Sequence, residues 1–423
     1  MKIDTKCVQA GYTPKSGEPR VLPIVQSTTF RYGSSAEMAK LFDLEQDGYF
    51  YTRLANPTND AVAAKIAALE GGVMAVLTGS GQAATFFSLF NICQAGDHIV
   101  ASAAIYGGTY NLLAVTMSRM GIEVTFVDPD WDADRLQAAF RPNTKAMFAE
   151  SVANPALIVL DFEKFAAVAH ANGVPLVVDN TFPTPINCRP FDFGADIVIH
   201  STTKYMDGHA TTIGGVVVDS GNFDWMAHPD AFPGLTTPDP SYHGIVYAEK
   251  FGKEAYIRKI VVQLMRDLGA VQSPVNAFYL NAGLDTLALR MERHCRNAET
   301  VANYLAGDDR VSWVNYPTLP GSRYEALAKK YMPNGTCGVI SFGVKGGREA
   351  AERFMDALRL AALVTHVADV RTCVLHPAST THRQMTNGQL AECKISPDLV
   401  RLSVGIEDVS DIIADLDQAL SKV

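Results

Sequence analysis

The sequence predicts an α/β protein with a mostly parallel central sheet flanked by helices, followed by a smaller C-terminal α+β domain. Three observations carry this expectation. Short apolar runs alternate with helical stretches from about residue 60 to about Ser220, and beyond about Val271 the pattern changes to long amphipathic helices with a few short strands. Apolar types make up 48% of the 423 residues and charged types only 19%, a balance that excludes disordered, collagen-like and coiled-coil classes. The formal charge of −9 lacks the basic footprint of a nucleic-acid binder and disfavours acidic membranes.

Taken in order, residues 1–60 hold Pro14, Pro19, Pro23 and Pro57 with little periodicity, and read as an extended arm of the kind that embraces a neighbouring subunit. A large domain is expected over 61–270. It opens with an Ala-rich helix, DAVAAKIAALE, stopped by Gly-Gly, then the run VMAVLT, a Gly-rich turn and a helix through QAATFFSLFNI. Strands follow at HIVAS, EVTFVD, KAMFAE, PLVVDN, DIVIHS and GGVVVD, separated by helical stretches such as ADRLQAAF and FEKFAAVAHANG. Residues 221–244 contain four prolines and little periodicity, which predicts a long surface excursion, within an insertion over 221–260, ahead of a helical connector. The domain over 271–423 carries TLALRMERHCRNAETVANYLAG and REAAERFMDALRLA as helices, with strands at CGVISFGV and LVRLSVG.

The longest stretch free of Asp, Glu, Lys and Arg, Gly71 to Gly96, is interrupted by Thr78-Gly79-Ser80-Gly81-Gln82 and is no membrane span. The opening residues mix charges and show no apolar leader, and the seven cysteines are scattered without a C-x-x-C; a cytoplasmic protein without disulfide framework or structural zinc is expected. His376 and His382 flank a possible metal pocket but lack acidic or thiol company, so no metal is expected.

Three sites in the sequence bear chemistry. Gly79-Ser80-Gly81-Gln82-Ala83-Ala84 lies between a strand and a helix, where bare amides and a helix N-terminus favour phosphate. It also fits the dinucleotide fingerprint, yet HIVASAAIYGG offers no acid for a ribose, and a purely structural turn is the simpler alternative. Second, the strand of Pro175–Thr181 ends in Asp179, and the strand of Ile197–Tyr205 leads to Lys204. Each alone reads as an ordinary turn or solvated residue. Both, however, sit at the carboxyl edge of an α/β sheet, where ligands bind. Amine, acid and phosphate turn together are what pyridoxal phosphate chemistry needs: an imine partner, a group that keeps the ring nitrogen protonated, and phosphate donors. Ser201 and Thr203 supply further hydroxyls, and Tyr106 in IYGGTY can stack on a ring or simply pack in the core. Third, Arg401 interrupts the apolar strand LVRLSVG, where it needs either an internal acid or a ligand carboxylate. Tyr51 and Arg53 in the arm are candidate phosphate donors to a neighbouring subunit.

The motifs YTRLANPT, GSGQAA, IYGGTY, VVDNTF, HSTTKY and LVRLSVGIE, in that order, resemble the Cys/Met metabolism family of pyridoxal phosphate enzymes over nearly the whole chain. The resemblance implies the aspartate aminotransferase-like transferase fold, fold type I. It implies that Lys204 carries the cofactor, Asp179 meets its ring nitrogen and Tyr106 stacks on its ring. Gly81, Gln82, Ser201 and Thr203 would hold the phosphate, joined by Tyr51 and Arg53 from the partner, with Asn154 near the ring oxygen, Thr181 close to the ring and Arg401 on the substrate carboxylate. DPSYHGIVYAEKFGKEAYIRK, RDLGA, RMERH and LHPASTTHRQ further resemble O-acetylhomoserine sulfhydrylases, implying an amino-acid substrate, sulfide or a thiol as second substrate, homocysteine as product, a place in methionine biosynthesis and a homotetramer of dimers with shared sites. Methionine γ-lyases, which usually carry Cys where Gly108 stands and lack the 221–260 insertion, and cystathionine γ-synthases are the alternatives. Where many relatives have Ser-Leu-Gly before the HPAS motif, this chain has His366-Val367-Ala368.

Overall fold

The computed structural model describes residues 1–380, 383, 386, 388, 390 and 395–423. Seven strands form the larger sheet: β1 Met74–Thr78, β2 His98–Ser102, β3 Glu123–Val127, β4 Thr144–Glu150, β5 Leu176–Asp179, β6 Ile197–His200 and β7 Gly215–Asp219, in the order β1-β7-β6-β5-β4-β2-β3. Strands β6, β5, β4, β2 and β3 run parallel, and β7 is antiparallel to both of its neighbours. The fold is therefore the mostly parallel α/β type that the alternating pattern predicts.

Each strand expected in the first half forms, and in all but the half-exposed edge strand β3 the apolar run is covered on both faces. Val100, Met147, Val178 and Val218 face one buried cluster, and their alternate neighbours Ile99, Phe148, Val177 and Val217 face another. Local signals set the helix ends. In the helix Pro57–Glu70, Asn56 accepts from the Thr58 amide, Pro57 occupies the first turn, and Gly71 at φ +85° closes it.

Five more strands, β8 Val311–Asn315, β9 Val339–Val344, β10 Ala362–Leu363, β11 Cys373–Leu375 and β12 Leu399–Ser403, make a second sheet in the order β10-β11-β12-β9-β8. The 20-residue helix Leu287–Ala306 and the helices Gly347–Ala357 and Val409–Leu420 pack on it through Val301, Phe354 and Leu416. Strands β9 and β12 match the expected runs; β8, β10 and β11 were not legible, being half-exposed or only two to three residues long.

Two expectations need refinement. The segment 221–244 runs over the surface with most of its residues exposed, but it is pinned to the protein: Trp225, Phe232, Leu235 and Tyr242 are buried, and Trp225 stacks on Tyr256 at 5.4 Å. Two of its prolines start short helices, at Pro233 and Pro240. The first sixty residues are not wholly extended either, since helices form at Ile3–Gln9 and Ser35–Phe42.

Among the described residues no helix is long and apolar enough to cross a membrane, and no cluster of three metal-ligating side chains occurs. His376 is engaged by Ser379 and the Pro397 carbonyl, both at 2.8 Å, while His382 lies outside the described residues.

Because Trp225 anchors its segment, Trp225→Ala is expected to destabilise the protein by about 3–5 kcal/mol, read as a lower urea midpoint. A loss within about 0.5 kcal/mol, the usual range for surface changes, would contradict the buried placement.

Candidate active site

The carboxyl ends of β4, β5 and β6 open into a cavity of about 270 Å³. Parallel register sets Glu150 beside Asp179 and Asp179 beside Ile199, so the polar residues that end each run meet at one edge. Gly81, Gln82, Tyr106, Asn154, Asp179, Thr181, Ser201, Thr203, Lys204 and Arg401 all line this cavity. Tyr51 and Arg53 do not. They stack on one another at 5.1 Å, and Arg53 faces a separate cavity between the arm and the helix Pro57–Glu70.

The turn after β1 is tight for a steric reason. Ser80 caps the helix Gly81–Phe90 by accepting from the Ala83 amide, and a Cβ at Gly81 would lie 2.6 Å from that of Ser201. Only bare backbone fits between the two loops, leaving amide donors of a ten-residue helix aimed at the cavity. Gln82 Oε1 is buried there without a partner. Thr203, on the wall of the same cavity, donates to the Gly214 carbonyl at 3.1 Å and accepts from the Gly214 amide.

Asp179 accepts from the Thr181 amide at 3.0 Å and its hydroxyl at 2.5 Å, and Thr181 Oγ1 in turn accepts from the Ser201 amide at 2.9 Å. Burial raises the Asp179 carboxyl above its ordinary range, opposed by the two Thr181 bonds and by His200. Behind it His200 Nε2 meets Glu70 at 2.5 Å, both fully buried, and Glu70 also accepts from Asn180 at 3.1 Å.

Burial brings Lys204 down to about 8, aided by the neighbouring Arg401. Arg401, 4% exposed, pairs with no acid among the described residues; it donates to Asn154 Oδ1 at 3.2 Å and to the His366 carbonyl at 3.4 Å, while its buried Nε has no partner. The internal salt bridge that would have made Arg401 purely structural is absent, and desolvation lowers this guanidinium to about 10. Such a group is suited to a bidentate carboxylate ligand.

Sequence reasoning missed Glu150. Its carboxylate accepts from the Tyr106 amide at 2.6 Å and the Asn154 amide at 3.0 Å, tying two site loops together. Burial, then the adjacent Asp179, holds it well above the usual carboxylate range. The signal was available: KAMFAE ends in an acid as PLVVD does. Phe182, Thr365 and Val367 complete apolar parts of the wall.

An amine with a lowered pKa, an acid at the opposite end, a backbone anion cradle and an unpaired arginine fit pyridoxal 5'-phosphate and an amino-acid substrate in charge and in donor chemistry. The comparisons agree. A model of the family described as Cys/Met metabolism PLP-dependent enzyme matches residues 4–421. A homocysteine synthase of Schizosaccharomyces pombe is 46% identical, covering 99% of this chain and 98% of its own. An O-acetyl-L-homoserine sulfhydrylase of Leptospira meyeri is 44% identical, covering 100% and 97%. The crystal structure of a putative O-acetylhomoserine (thiol)-lyase from Campylobacter jejuni, holding N'-pyridoxyl-lysine-5'-monophosphate, superposes with a TM-score of 0.96 at 37% identity over the whole of both chains.

Glu150→Ala removes the acceptor from two part-buried amides and should cost about 0.5–1.5 kcal/mol for each in chemical denaturation, whereas Glu150→Gln keeps one acceptor oxygen where the parent has two and should lose about half as much. The sign of the pH dependence follows from the raised carboxyls. Their stabilisation of the cofactor-free chain is complete below the unfolded carboxylate range and is lost as pH rises through the higher folded values, so Glu150→Gln should flatten part of that decline. Equal losses for the Ala and Gln variants would refute the acceptor role.

Proposed function

The chain belongs to the Cys/Met metabolism PLP-dependent enzymes, and on that premise we propose that it replaces the γ-acetoxy group of O-acetyl-L-homoserine with sulfide, giving L-homocysteine and acetate. The single observation that carries this choice within the family is Gly108. A Cβ there would lie 2.4 Å from the Tyr106 ring and 2.7 Å from Gln82 Nε2, so the cysteine of γ-lyase-type sites cannot be accommodated without moving the ring. The names of the relatives point the same way.

Pyridoxal 5'-phosphate, when bound, supplies a cationic ring that stabilises the charge left on a substrate carbon after a proton departs. In this reading the protein's own groups do the rest. Gly81, Gln82 and Ser201 hold the phosphate, and Thr203 braces the loop that carries Ser201 and Lys204 through its bonds to Gly214. Asp179, steadied by Thr181, keeps a negative charge opposite the ring nitrogen, while Tyr106 covers the ring and Asn154 lies at its oxygen. Arg401 orients the substrate by its carboxylate. Lys204 is the amine that bears the cofactor and then moves protons; near 8, it exchanges them readily around neutral pH. A γ-leaving group requires proton removal at both the α- and the β-carbon, so one mobile amine serves both positions. Glu150 positions Tyr106 and Asn154 through their amides.

Tyr51 and Arg53 stay outside the cavity of their own chain, which supports a dimer in which a neighbouring copy supplies them to the phosphate, and a tetramer assembled from such dimers. The six cysteines among the described residues are free and buried, which suits a reducing compartment, and the reading places the enzyme in the cytoplasm.

Lys204→Ala should abolish turnover and the visible absorption of the bound cofactor while leaving the fold intact; an active, yellow variant with an unchanged spectrum would overturn the assignment. With O-acetylhomoserine and sulfide present, homocysteine should greatly exceed 2-oxobutyrate. Comparable degradation of methionine alone to 2-oxobutyrate would instead establish a γ-lyase. For the shared site, co-expressing Arg53→Ala and Lys204→Ala chains should recover part of the activity that each lacks alone, and mixed dimers without recovery would contradict it.

A further inference from the structure

The loop between β10 and β11 delivers a side chain to the site that the mechanism above does not use. His366 Nδ1 lies 3.5 Å from Lys204 Nζ, and it is the sole hydrogen-bond partner of that amine among the described residues. The flanking Thr365 and Val367 line the cavity while His366 does not, so the imidazole approaches Lys204 from outside the ligand space. Its Nε2 is buried without a partner, and its carbonyl accepts from Arg401 and from Cys373 Sγ, each at 3.4 Å. The contact falls on His366-Val367-Ala368, where the sequence departs from the Ser-Leu-Gly of many relatives.

Charge decides what a histidine can do here. Lys204 and Arg401 already place two cations against this loop, and a third in the same desolvated space is disfavoured. Burial, then the charge of Lys204, lowers His366 to about 4, with Arg401 acting in the same sense and Asp369 and Asp207 opposing it. Around Lys204 itself, besides His366, Arg401 lowers the amine further and Cys373 opposes it. A neutral imidazole has one acceptor nitrogen and one donor nitrogen, so accepting from the lysine at Nδ1 places the ring proton on Nε2. A length of 3.5 Å is long, as catalytic contacts often are before ligands arrive.

We propose that His366 is a positioning residue for Lys204: its Nδ1 accepts a hydrogen bond from the lysine amine whenever that amine is not bonded to the cofactor, and holds it at the cavity wall between successive proton transfers. A freed lysine otherwise has the rotamer freedom of a flexible four-carbon stem with which to leave the site. The accepted bond also favours the protonated amine, partly offsetting the desolvation that disfavours it. The proposal rests on the reading of Lys204 as the cofactor-bearing amine.

The test follows the rate at which the full-length chain, stripped of cofactor, captures added pyridoxal 5'-phosphate as a function of pH; this rate reports the unprotonated fraction of Lys204. His366→Leu removes the acceptor, so the midpoint should move down by about 0.5–1 pH unit. His366→Gln, whose amide oxygen can accept, should restore most of the difference. An unmoved midpoint in the Leu variant, or equal shifts in both, overturns the role of His366. Imine formation, read from its visible absorption, that persists in Lys204→Ala overturns instead the assignment of Lys204. Should the Leu variant not fold, the parent chain decides by ¹⁵N-histidine NMR. The resonance lost in His366→Gln must belong to a neutral ring with its proton on Nε2 at neutral pH, and must shift once the cofactor takes the amine. A ring protonated at Nδ1 refutes the proposal.

Discussion

The parallel register of β4, β5 and β6 is the constraint on which the rest of the site depends. It places Glu150 beside Asp179 and Asp179 beside Ile199, so that the residues ending three apolar runs form one polar row at the carboxyl edge of the sheet. A slip of one residue in any of these strands would turn its polar end into the core. Both faces of each strand are buried, and that burial resists such a slip.

From that row the electrostatics of the cavity follow. Two carboxyls, raised by burial, and two cations, lowered by burial, line the same cavity. Among the described residues none of the four is neutralised by a direct ion pair. An arrangement that is costly when empty is complementary to a ligand pair that brings a ring cation to Asp179 and a carboxylate to Arg401. Behind it the Glu70–His200 contact at 2.5 Å, with Asn180 and Ser151, fixes the ends of β5 and β6 by hydrogen bonds made wholly inside the protein.

The second sheet closes the site. Ser341 on β9 donates to the Pro155 carbonyl at 2.6 Å, and Asn315 on β8 bonds the Ala156 carbonyl, so the segment that carries Asn154 is held by strands from the other half of the chain. Strand β12 brings Arg401, and the loop after β10 brings His366. The two sheets thus both build the cavity, Glu150, Asp179 and Lys204 coming from the carboxyl edge of the first and Arg401 from the second.

Local pattern alone determined a good deal of this. Apolar runs of four to seven residues, each ending in a polar residue, identified β1 to β7 and with them Asp179 and Lys204, because strand periodicity and strand ends are written within a few residues. The Gly81 cradle and the lone arginine of β12 were legible for the same reason. What only tertiary structure decided involves partners far apart in sequence or a change of burial. Lys204 and His366 are 162 positions apart, and Arg401 and Asn154 are 247 apart. Glu150 looked like one more strand end until its register against Asp179 gave it two loop amides to hold. Residues 221–244 carry loop composition, yet Trp225 and Phe232 bury themselves because the helices beside β1 and β7 leave apolar surface for them to cover. Composition reports what a segment can do in isolation; whether its side chains are covered depends on neighbours that the chain delivers from elsewhere.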